Sequence, residues 1–300
     1  MPITLLAGGT GFIGTRLAEM LRQQGHVVRL LTRHPRGAGQ FTWNVETGEI
    51  DREALEGVDY VINLAGAGIA DKRWTAARKR EIVDSRVKST RLLADAIRHS
   101  AQLPKAWVSA SAIGYYGNSG EQRMQESDAP VDRSFMVECC EQWENATDEI
   151  AAMGIRTVKL RVGVVLEMGG GALPEFVKPL RFGLGAYFGN GRAWYSWIHR
   201  DDICRAFIWA LETESAEGVF NAVAPTPLRN KPLVKAIARA RRKPAIFLPA
   251  PSFALRVLFG EMSATILNSN LVAADKIQQA GFTFQYPDAD KALEHIFQNK

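Results

Sequence analysis

Short apolar runs alternate with segments of helical spacing through the first half of the chain. Such runs suit the strands of a parallel sheet, because both faces of that kind of sheet are covered. We therefore predict strands at residues 3–7, 27–31, 41–43, 60–64, 106–111 and 157–166. Apolar positions three and four apart, such as Leu17, Met20 and Leu21, predict helices instead. The predicted helices lie at residues 15–24, 80–98, 137–152 and 203–211.

The alternation of strands and helices predicts right-handed βαβ units, and therefore an α/β fold. We expect a Rossmann-type doubly wound parallel sheet in residues 1–165, to which the chain returns near 195–222. Beyond this first part the chain becomes glycine-rich, and prolines later punctuate short helical segments. We assign residues 166–194 and 223–300 to a smaller mixed lobe that binds the substrate.

Composition and charge narrow the classes of partner. With 46% apolar and 23% charged residues, the chain of 300 residues is typical of a globular protein. Its net charge is +5, and the densest basic run, residues 239–243, lies in no nucleic-acid-binding motif, so we expect no nucleic-acid partner. No apolar run approaches the roughly 18 residues that a membrane span needs. Three cysteines without zinc-ligand spacing favour a reducing, cytoplasmic location and no metal site.

The segment GGTGFIG, residues 8–14, joins the first predicted strand to the first predicted helix. Glycines allow a tight turn and a close approach of the backbone to a diphosphate, and the N–H groups at a helix start favour negative charge. We therefore predict a dinucleotide site at this turn. Its predicted contacts are Gly8, Thr10, Gly11, Phe12, Ile13 and Gly14.

The end of the second predicted strand indicates which dinucleotide to expect. Sites that prefer NAD commonly carry an acidic residue about 20 positions after the glycines. This chain has Arg33 there, with His34 and Arg36 close behind. A guanidinium can hold a phosphate with two hydrogen bonds, so we predict NADP(H) as the cofactor. The alternative is an exposed loop arginine without a ligand.

Four motifs together carry a resemblance to a known family. They are GGTGFIG at 8–14, NLAG at 63–66, SASAIGYYG at 109–117 and WIHRDD at 197–202. With these motifs the chain resembles the extended short-chain dehydrogenase/reductase superfamily, the NAD(P)-dependent epimerases and dehydratases. The resemblance implies that Leu64, Ala65, Gly66 and Ser109 contribute to the cofactor site.

A closer resemblance covers the whole chain. It rests on segments such as ADKRWT at 70–75, SRVKST at 85–90 and CEQWE at 140–144. These resemble an "epimerase family" subgroup of bacteria and eukaryotes with a distinct C-terminal domain, to which the segment from Pro225 onward is similar. Many relatives pair through the helices that correspond to residues 80–98 and 136–152, so the resemblance also implies a homodimer.

One feature departs from the superfamily. Its members catalyse with a serine or threonine and a Tyr-x-x-x-Lys motif on the following helix. No tyrosine in this chain is followed by lysine four positions later, and alignment on Glu144 puts Met136 and Cys140 at the two positions. Residues four apart share a helix face, so Met136, Cys140 and Glu144 should lie together.

The catalytic candidates are therefore polar groups near the end of the strand at 106–111 and on this helix. They are Ser111, Tyr115, Tyr116 and Cys140. Ser111 would polarise a reacting oxygen, and a tyrosine would transfer the proton. For each tyrosine, packing or plain exposure is the alternative. A buried helix cysteine is more often an inert apolar group than a reactive thiol.

The substrate-side candidates are Arg73, Trp74, Arg161 and His199. Arg161 interrupts an apolar strand, which is costly unless its charge is paired. It therefore either binds an anion or closes a salt bridge, with Glu144 or Asp201 as the partner. His199 either acts in the site or braces the second lobe. The glycine-rich residues 168–191 are a candidate lid over the site.

Two functions remain open at this point. The first is an NADP(H)-dependent oxidoreductase or epimerase acting on a small carbonyl or sugar-like molecule. The second is a catalytically inactive protein that keeps the cofactor pocket and works as an NADP(H) sensor or assembly module. The missing Tyr-x-x-x-Lys motif favours the second function, whereas Ser111, His199 and the aromatic-rich glycine segment favour the first.

Overall fold

The structure is a computed structural model, and it describes residues 1–298. Its strands are β1 Ile3–Ala7, β2 Val27–Thr32, β3 Gln40–Asn44, β4 Glu49–Ile50, β5 Tyr60–Asn63, β6 Ala106–Ala112, β7 Arg123–Met124, β8 Arg156–Val162, β9 Val164–Leu166, β10 Leu184–Phe188, β11 Trp194–Tyr195, β12 Trp197–His199, β13 Gly218–Ala222, β14 Leu228–Arg229, β15 Ile246–Ala250 and β16 Leu271–Val272. Its helices are α1 Phe12–Gln23, α2 Ala76–Arg98, α3 Phe135–Ala151, α4 Leu173–Leu180, α5 Arg200–Glu212, α6 Asn230–Ala240, α7 Ser252–Phe259, α8 Ser263–Leu267, α9 Asp275–Gln279 and α10 Ala289–Gln298.

The central sheet confirms the predicted Rossmann-type architecture. Its eight strands have the order β13-β8-β6-β5-β1-β2-β3-β4. Every neighbouring pair is parallel except β3 and β4. The chain first builds outward from β1 to β3 and then returns to add β5 on the other side of β1. Open α/β sheets bind ligands outside the carboxyl ends of the strands at such a reversal, and the glycine turn follows β1 at that point.

Both faces of the sheet are covered, as the continuous apolar strands predicted. Leu6 packs in one apolar cluster with α1 and α5, whereas its neighbour Leu5 packs in another with α2 and α3. Successive side chains of a strand point to opposite faces, so each strand supplies both layers. Each such fully buried leucine stabilises the fold by roughly 1.5–3 kcal/mol.

Several element boundaries differ from the predicted ones, and helices α1 and α5 each begin three positions earlier, at Phe12 and Arg200. Helix α2 begins at Ala76, because the Thr75 side chain caps it by accepting a hydrogen bond from the N–H of Arg78. Helix α3 begins at Phe135, two positions before the predicted start. The strand predicted at 157–166 is divided into β8 and β9 at Gly163.

The division at Gly163 has a steric cause. A Cβ at this position would lie 2.6 Å from the carbonyl oxygen of Ser196. Because the two backbones approach so closely, β9 leaves the central sheet and pairs with β12 instead.

A further apolar cluster lies in the later part of the chain. It contains side chains of α4, α6 and α10, such as Phe176, Leu233 and Leu293. These helices and the small sheets β10–β15 and β11–β14 form the smaller mixed lobe, while the exact domain boundaries stay a prediction. None of the helices within residues 1–298 is both long enough and apolar enough to cross a membrane. The same residues contain no group of three His, Cys, Asp or Glu side chains that could hold a metal ion.

Candidate functional site

The glycine turn forms a backbone cradle at the carboxyl end of β1. Gly8 has a φ of +77°, and a Cβ there would lie 2.8 Å from the carbonyl carbon and oxygen of Leu64. At Gly14 a Cβ would overlap the carbonyl oxygen of Gly8 and approach the Cα of Gly9 to 2.7 Å. The atoms in the way are backbone atoms, so these two positions require glycine.

Helix α1 begins where the turn ends, and its free N–H groups face the crevice at the carboxyl end of β1. Gly11 is the N-cap residue, and both Thr10 and Gly11 are exposed. The first N–H groups of a helix, here including those of Phe12 and Ile13, have no partner within the helix. No acidic side chain lies in this first turn. The backbone therefore fits the diphosphate of a dinucleotide.

The side chains of Phe12 and Ile13 pack against the protein. A Cβ at Gly170 would lie 2.7 Å from the Phe12 ring, and the guanidinium of Arg200 stands 5.6 Å from its centre. Ile13 packs against the core cluster of α1 and α5. These two residues can thus serve a nucleotide through their backbone N–H groups.

Arg33 stands one position beyond β2, the strand beside β1. Its side chain is exposed, and its guanidinium enters none of the ion pairs formed within residues 1–298. His34 and Arg36 are exposed as well, and the guanidinium of Arg36 adds a second positive charge to this loop. Because β1 and β2 are neighbours, the glycine turn and Arg33 lie at adjacent strand ends.

The segment after β5 borders the glycine turn on its other side. Asn63 holds this segment in place, since its side-chain oxygen accepts the N–H of Ala65 at 3.0 Å. The backbone of Leu64 contacts Gly8, and Gly66 is exposed. Leu64, Ala65 and Gly66 therefore lie along the crevice in which a cofactor was predicted.

The side chain of Ser109 does not open to that crevice. Its side chain is 0% exposed, and its hydroxyl accepts a hydrogen bond from Thr147 of α3 at 3.3 Å. The hydroxyl is enclosed between β6 and α3, so Ser109 can contribute to the predicted cofactor site through its backbone and not through its side chain.

Met136 and Cys140 share a face of α3 that is turned to the segment after β6, as the helical spacing predicted. A Cβ at Gly114 would lie 3.4 Å from Met136 and 3.8 Å from the Sγ of Cys140. Cys140 is 1% exposed, and burial raises the pKa of its thiol. The predicted reactive role of Cys140 is wrong, because a reactive cysteine needs an accessible thiolate.

Ser111, Glu144 and Arg161 form a buried chain of polar groups beneath this face. The hydroxyl of Ser111 donates to Oε1 of Glu144 at 2.6 Å. Arg161 donates its Nε to Oε1 at 2.8 Å and its Nη2 to Oε2 at 2.9 Å. Burial disfavours the charged form of Arg161, but the carboxylate of Glu144 outweighs it and raises the pKa of Arg161.

This arrangement answers the question that the sequence left open for Arg161. Its side chain is 3% exposed and closes the salt bridge with Glu144, whereas Asp201 pairs with Arg16 of α1 at 2.9 Å. The predicted contact between Arg161 and a substrate is wrong, because both of its charged edges are already occupied.

Two catalytic candidates are held by the same network. The hydroxyl of Ser111 already donates its only proton in the hydrogen bond to Glu144. Tyr116 is 0% exposed, and its hydroxyl accepts from Nη1 of Arg161 at 2.9 Å and donates to Asn221 at 2.7 Å. Burial raises the pKa of Tyr116 to about 12. The geometry therefore contradicts direct chemical roles for Ser111 and Tyr116.

Tyr115 differs from its neighbour because it is only partly buried. Its ring centre lies 3.4 Å from the Cζ of Arg161, and the ring meets that of Tyr116 edge-on at 5.4 Å. This packing fixes the ring at the carboxyl end of β6, where ligands of such sheets bind. Of the four catalytic candidates, Tyr115 is the one that the packing leaves accessible.

His199 braces the lobe and does not face an open site. It is 1% exposed, its Nδ1 accepts the N–H of Asp201 at 3.0 Å, and its ring stacks on that of Tyr286 at 4.0 Å. Burial lowers the pKa of His199 to about 4, so its ring is neutral near pH 7. The predicted substrate contact of His199 is wrong, and the alternative of a bracing role fits.

A cavity of about 1160 Å³ adjoins the α3 face at Met136. Its wall combines aromatic rings, amides and one charged residue of each sign, namely Trp74, Phe135, Phe188, Asn118, Asn190, Asn268, Arg256 and Glu261. Trp74 is fixed by a hydrogen bond of 2.8 Å from its ring N–H to the carbonyl of Ile69. Arg73 is exposed and packs near Gly260, outside the set of cavity-lining residues. The predicted glycine-rich lid contributes Phe188, Gly189 and Asn190.

Several residues of the site carry no local signal in the sequence. Asn63 is recognisable in the sequence only as part of the NLAG motif, and the cavity amides Asn118 and Asn268 lie far apart in the sequence. Arg86 belongs to the SRVKST segment, but its position against the NLAG segment depends on how α2 packs. The spacing of residues within α2 carries no signal for that contact.

Comparison with protein-family models finds two matches. The model described as "NAD dependent epimerase/dehydratase family" matches residues 4–222. The model described as "Domain of unknown function (DUF1731)" matches residues 250–296. The two matches agree with the resemblance to an epimerase subgroup that has a distinct C-terminal domain.

Similar proteins span nearly the same length. The chain is 36% identical over 295 residues to "Epimerase family protein SDR39U1" of Mus musculus, covering 97% of this chain and 98% of the relative. It is 37% identical over 299 residues to "Epimerase family protein YfhF" of Bacillus subtilis, covering 98% of each. The crystal structure of the human epimerase family protein SDR39U1 (isoform2) with NADPH has a TM-score of 0.92, 34% identity, and coverage of 99% and 100%.

Proposed function

The chain belongs to the NAD dependent epimerase/dehydratase family, and from that premise we propose that it binds NADP(H) and acts as an oxidoreductase or epimerase. Its substrate would be a small carbonyl or sugar-like molecule held in the cavity beside Met136. The position of the cavity supports this assignment, because Met136 lines it and belongs to the α3 face on which the superfamily carries its Tyr-x-x-x-Lys motif.

One observation carries the cofactor assignment. The backbone cradle of Gly8 and Gly14 lies at a strand end adjacent to that of Arg33, whose guanidinium is exposed. A diphosphate on the turn would leave the adenosine 2′-phosphate to pair with Arg33. The human relative that was crystallised with NADPH supports the same cofactor.

Replacing Arg33 by alanine should weaken NADPH binding by roughly 10- to 100-fold and leave NADH binding nearly unchanged, because a hydrogen bond to a charged group contributes about 1.5–3 kcal/mol. Fluorescence titration of both nucleotides measures the change. Arg22→Ala is the control, since it removes an equal charge from the exposed end of α1. Equal affinity of the unmodified chain for NADPH and NADH would contradict the proposal that Arg33 pairs with the 2′-phosphate.

Tyr115 is the proposed proton carrier. In a carbonyl reduction NADPH supplies the hydride, and the chain must supply a proton to the carbonyl oxygen. Tyr115 is partly exposed and directly follows Gly114, which packs against Met136 on the α3 face that borders the cavity. Neither Cys140 nor Tyr116 can donate a proton to a bound substrate, because both side chains are buried.

Replacing Tyr115 by phenylalanine should lower turnover by roughly 100- to 10,000-fold, the usual contribution of a positioned acid–base group. The assay incubates the protein with NADPH and a panel of aldehydes, ketones, quinones and nucleotide sugars. Tyr116→Phe is the matched control, which should lower stability but leave turnover of the folded protein nearly unchanged. Turnover that survives in Tyr115→Phe would contradict the assignment of Tyr115.

A second candidate function is an NADP(H)-binding sensor or assembly module without turnover. The thioether of Met136 and the buried thiol of Cys140 favour it, because neither offers a proton on the face where the superfamily carries Tyr-x-x-x-Lys. The assay with NADPH and the panel of carbonyl compounds and nucleotide sugars distinguishes the two functions. Tight NADPH binding without oxidation of NADPH by any panel member would favour the module.

We also propose a homodimer through α2 and α3, as the resemblance implies. The surface between these helices already carries an ion pair within the chain, Arg91 with Glu149 at 2.7 Å. Light scattering coupled to gel filtration gives the mass in solution. A mass of one chain at micromolar concentration would argue against the dimer.

A further inference from the structure

The side chain of Arg86 is a partly buried cation that has no carboxylate partner within residues 1–298. In the described part of the chain its Nη1 alone is engaged, donating to the carbonyl oxygens of Ala67 at 3.1 Å and Ile82 at 2.9 Å. Its Nε and Nη2 have no acceptor among residues 1–298, and neither nitrogen is sealed from solvent. Burial lowers the pKa of Arg86, and no carboxylate acts against that change.

The guanidinium groups of three other core arginines have more hydrogen-bond or ion-pair partners than that of Arg86. Arg161 has the bidentate pair with Glu144, and Arg78 pairs with Glu81 at 2.8 Å. Arg156 is satisfied by three backbone carbonyls. Arg86 alone among these four keeps two donors free, and a desolvated guanidinium with free donors favours binding of an external acceptor.

The position of Arg86 indicates which acceptor it meets. A Cβ at Gly66 would lie 3.0 Å from its Cζ, so the guanidinium rests against the exposed end of the NLAG segment. On its other side, the guanidinium lies 5.0 Å from the ring centre of Trp143 on α3. Arg86 thus lies between the segment after β5 and helix α3.

The sheet order places the two halves of a dinucleotide on opposite sides of β1. With the diphosphate on the glycine turn, the adenosine half extends toward β2 and Arg33. The other half must then extend toward β5 and β6, past Leu64 and Gly66. That path leads to the free donors of Arg86.

We propose that Arg86 binds the ribose of the nicotinamide half of NADPH through its Nε and Nη2, with Gly66 leaving room for the guanidinium. This inference rests on the proposed cofactor. It gives the site a positive charge on the side where helix α3 offers only Met136 and Cys140. The ribose hydroxyls are suitable acceptors, because a guanidinium presents its donors as a planar fork.

The test compares three nucleotides that share the adenosine half. Arg86→Gln should weaken binding of NADPH and of 2′-phospho-ADP-ribose by roughly 10- to 100-fold, the value of hydrogen bonds from a charged donor. It should leave binding of 2′,5′-ADP, which lacks the second ribose, unchanged within about twofold. Lys88→Gln is the matched control, because it removes an exposed positive charge from the same helix. Arg86→Lys should recover part of the lost affinity, since it keeps the charge.

Calorimetric titration of the full-length chain gives all the affinities, and binding of 2′,5′-ADP verifies that each variant is folded. Unchanged affinity of Arg86→Gln for NADPH would overturn the inference. So would an equal loss for all three nucleotides, or a loss for NADPH without a loss for 2′-phospho-ADP-ribose. If the unmodified chain binds none of the three, the proposed cofactor itself fails, and that result is distinct from the failure of Arg86.

Discussion

Replacement of Glu144 by alanine is expected to destabilise the protein by about 3–5 kcal/mol, because it leaves a buried arginine without its carboxylate. Arg161 is 3% exposed and donates two hydrogen bonds to Glu144. Ser111 loses its acceptor in the same change. The free energy of unfolding from urea denaturation measures the effect.

The same helix provides the control. Glu149 of α3 pairs with Arg91 on the exposed surface, at 2.7 Å. Exposed ion pairs contribute only about 0–1 kcal/mol, so Glu149→Ala should change stability little. If Glu144→Ala lowered the free energy of unfolding as little as Glu149→Ala does, the claim that the buried network beneath the α3 face stabilises the fold would be contradicted.

Replacement of Gly14 by alanine is expected to weaken NADPH binding by at least roughly 100-fold, since the displaced turn loses more than one N–H contact to phosphate at about 1.5–3 kcal/mol each. The new Cβ would overlap the backbone of Gly8 and Gly9. Those atoms belong to the cradle itself, so the helix start and the turn cannot both keep their positions. Fluorescence titration with NADPH gives the affinity.

Gly37→Ala is the matched glycine substitution. Nothing lies within 4 Å of a Cβ at Gly37, so neither the fold nor the affinity should change. Circular dichroism of both variants separates lost binding from lost structure. Gly14→Ala that folds and binds NADPH as tightly as the unmodified chain would contradict the role of the turn.

The sheet and the glycine turn could be predicted because their signals are local. A run such as residues 3–7 is apolar at every position, and GGTGFIG follows it directly. The sequence could not predict the division of the strand at Gly163, because its cause is the carbonyl of Ser196, which only the fold brings close. Local pattern therefore predicts elements, whereas their ends depend on distant contacts.

The polar groups of the site were harder to assign for the same reason. Arg161 interrupts an apolar strand, and this position alone predicts that its charge needs a partner. Whether the partner is Glu144 or Asp201 depends on how α3 packs on β8, which the sequence does not show. Ser111 and Tyr116 belong to the predicted motif, yet the salt bridge uses their hydroxyls. A motif indicates which residues lie near a site, and the hydrogen-bond network decides which of them remain free.

The central claim is that the glycine turn holds the diphosphate of NADPH while Arg33 pairs with its 2′-phosphate. Crystals of the protein grown with NADPH test it most directly. The account predicts the diphosphate against the backbone N–H groups that follow Gly11, and the 2′-phosphate within hydrogen-bond distance of the Arg33 guanidinium. A nucleotide bound elsewhere, or one whose 2′-phosphate lies away from Arg33, would contradict the account.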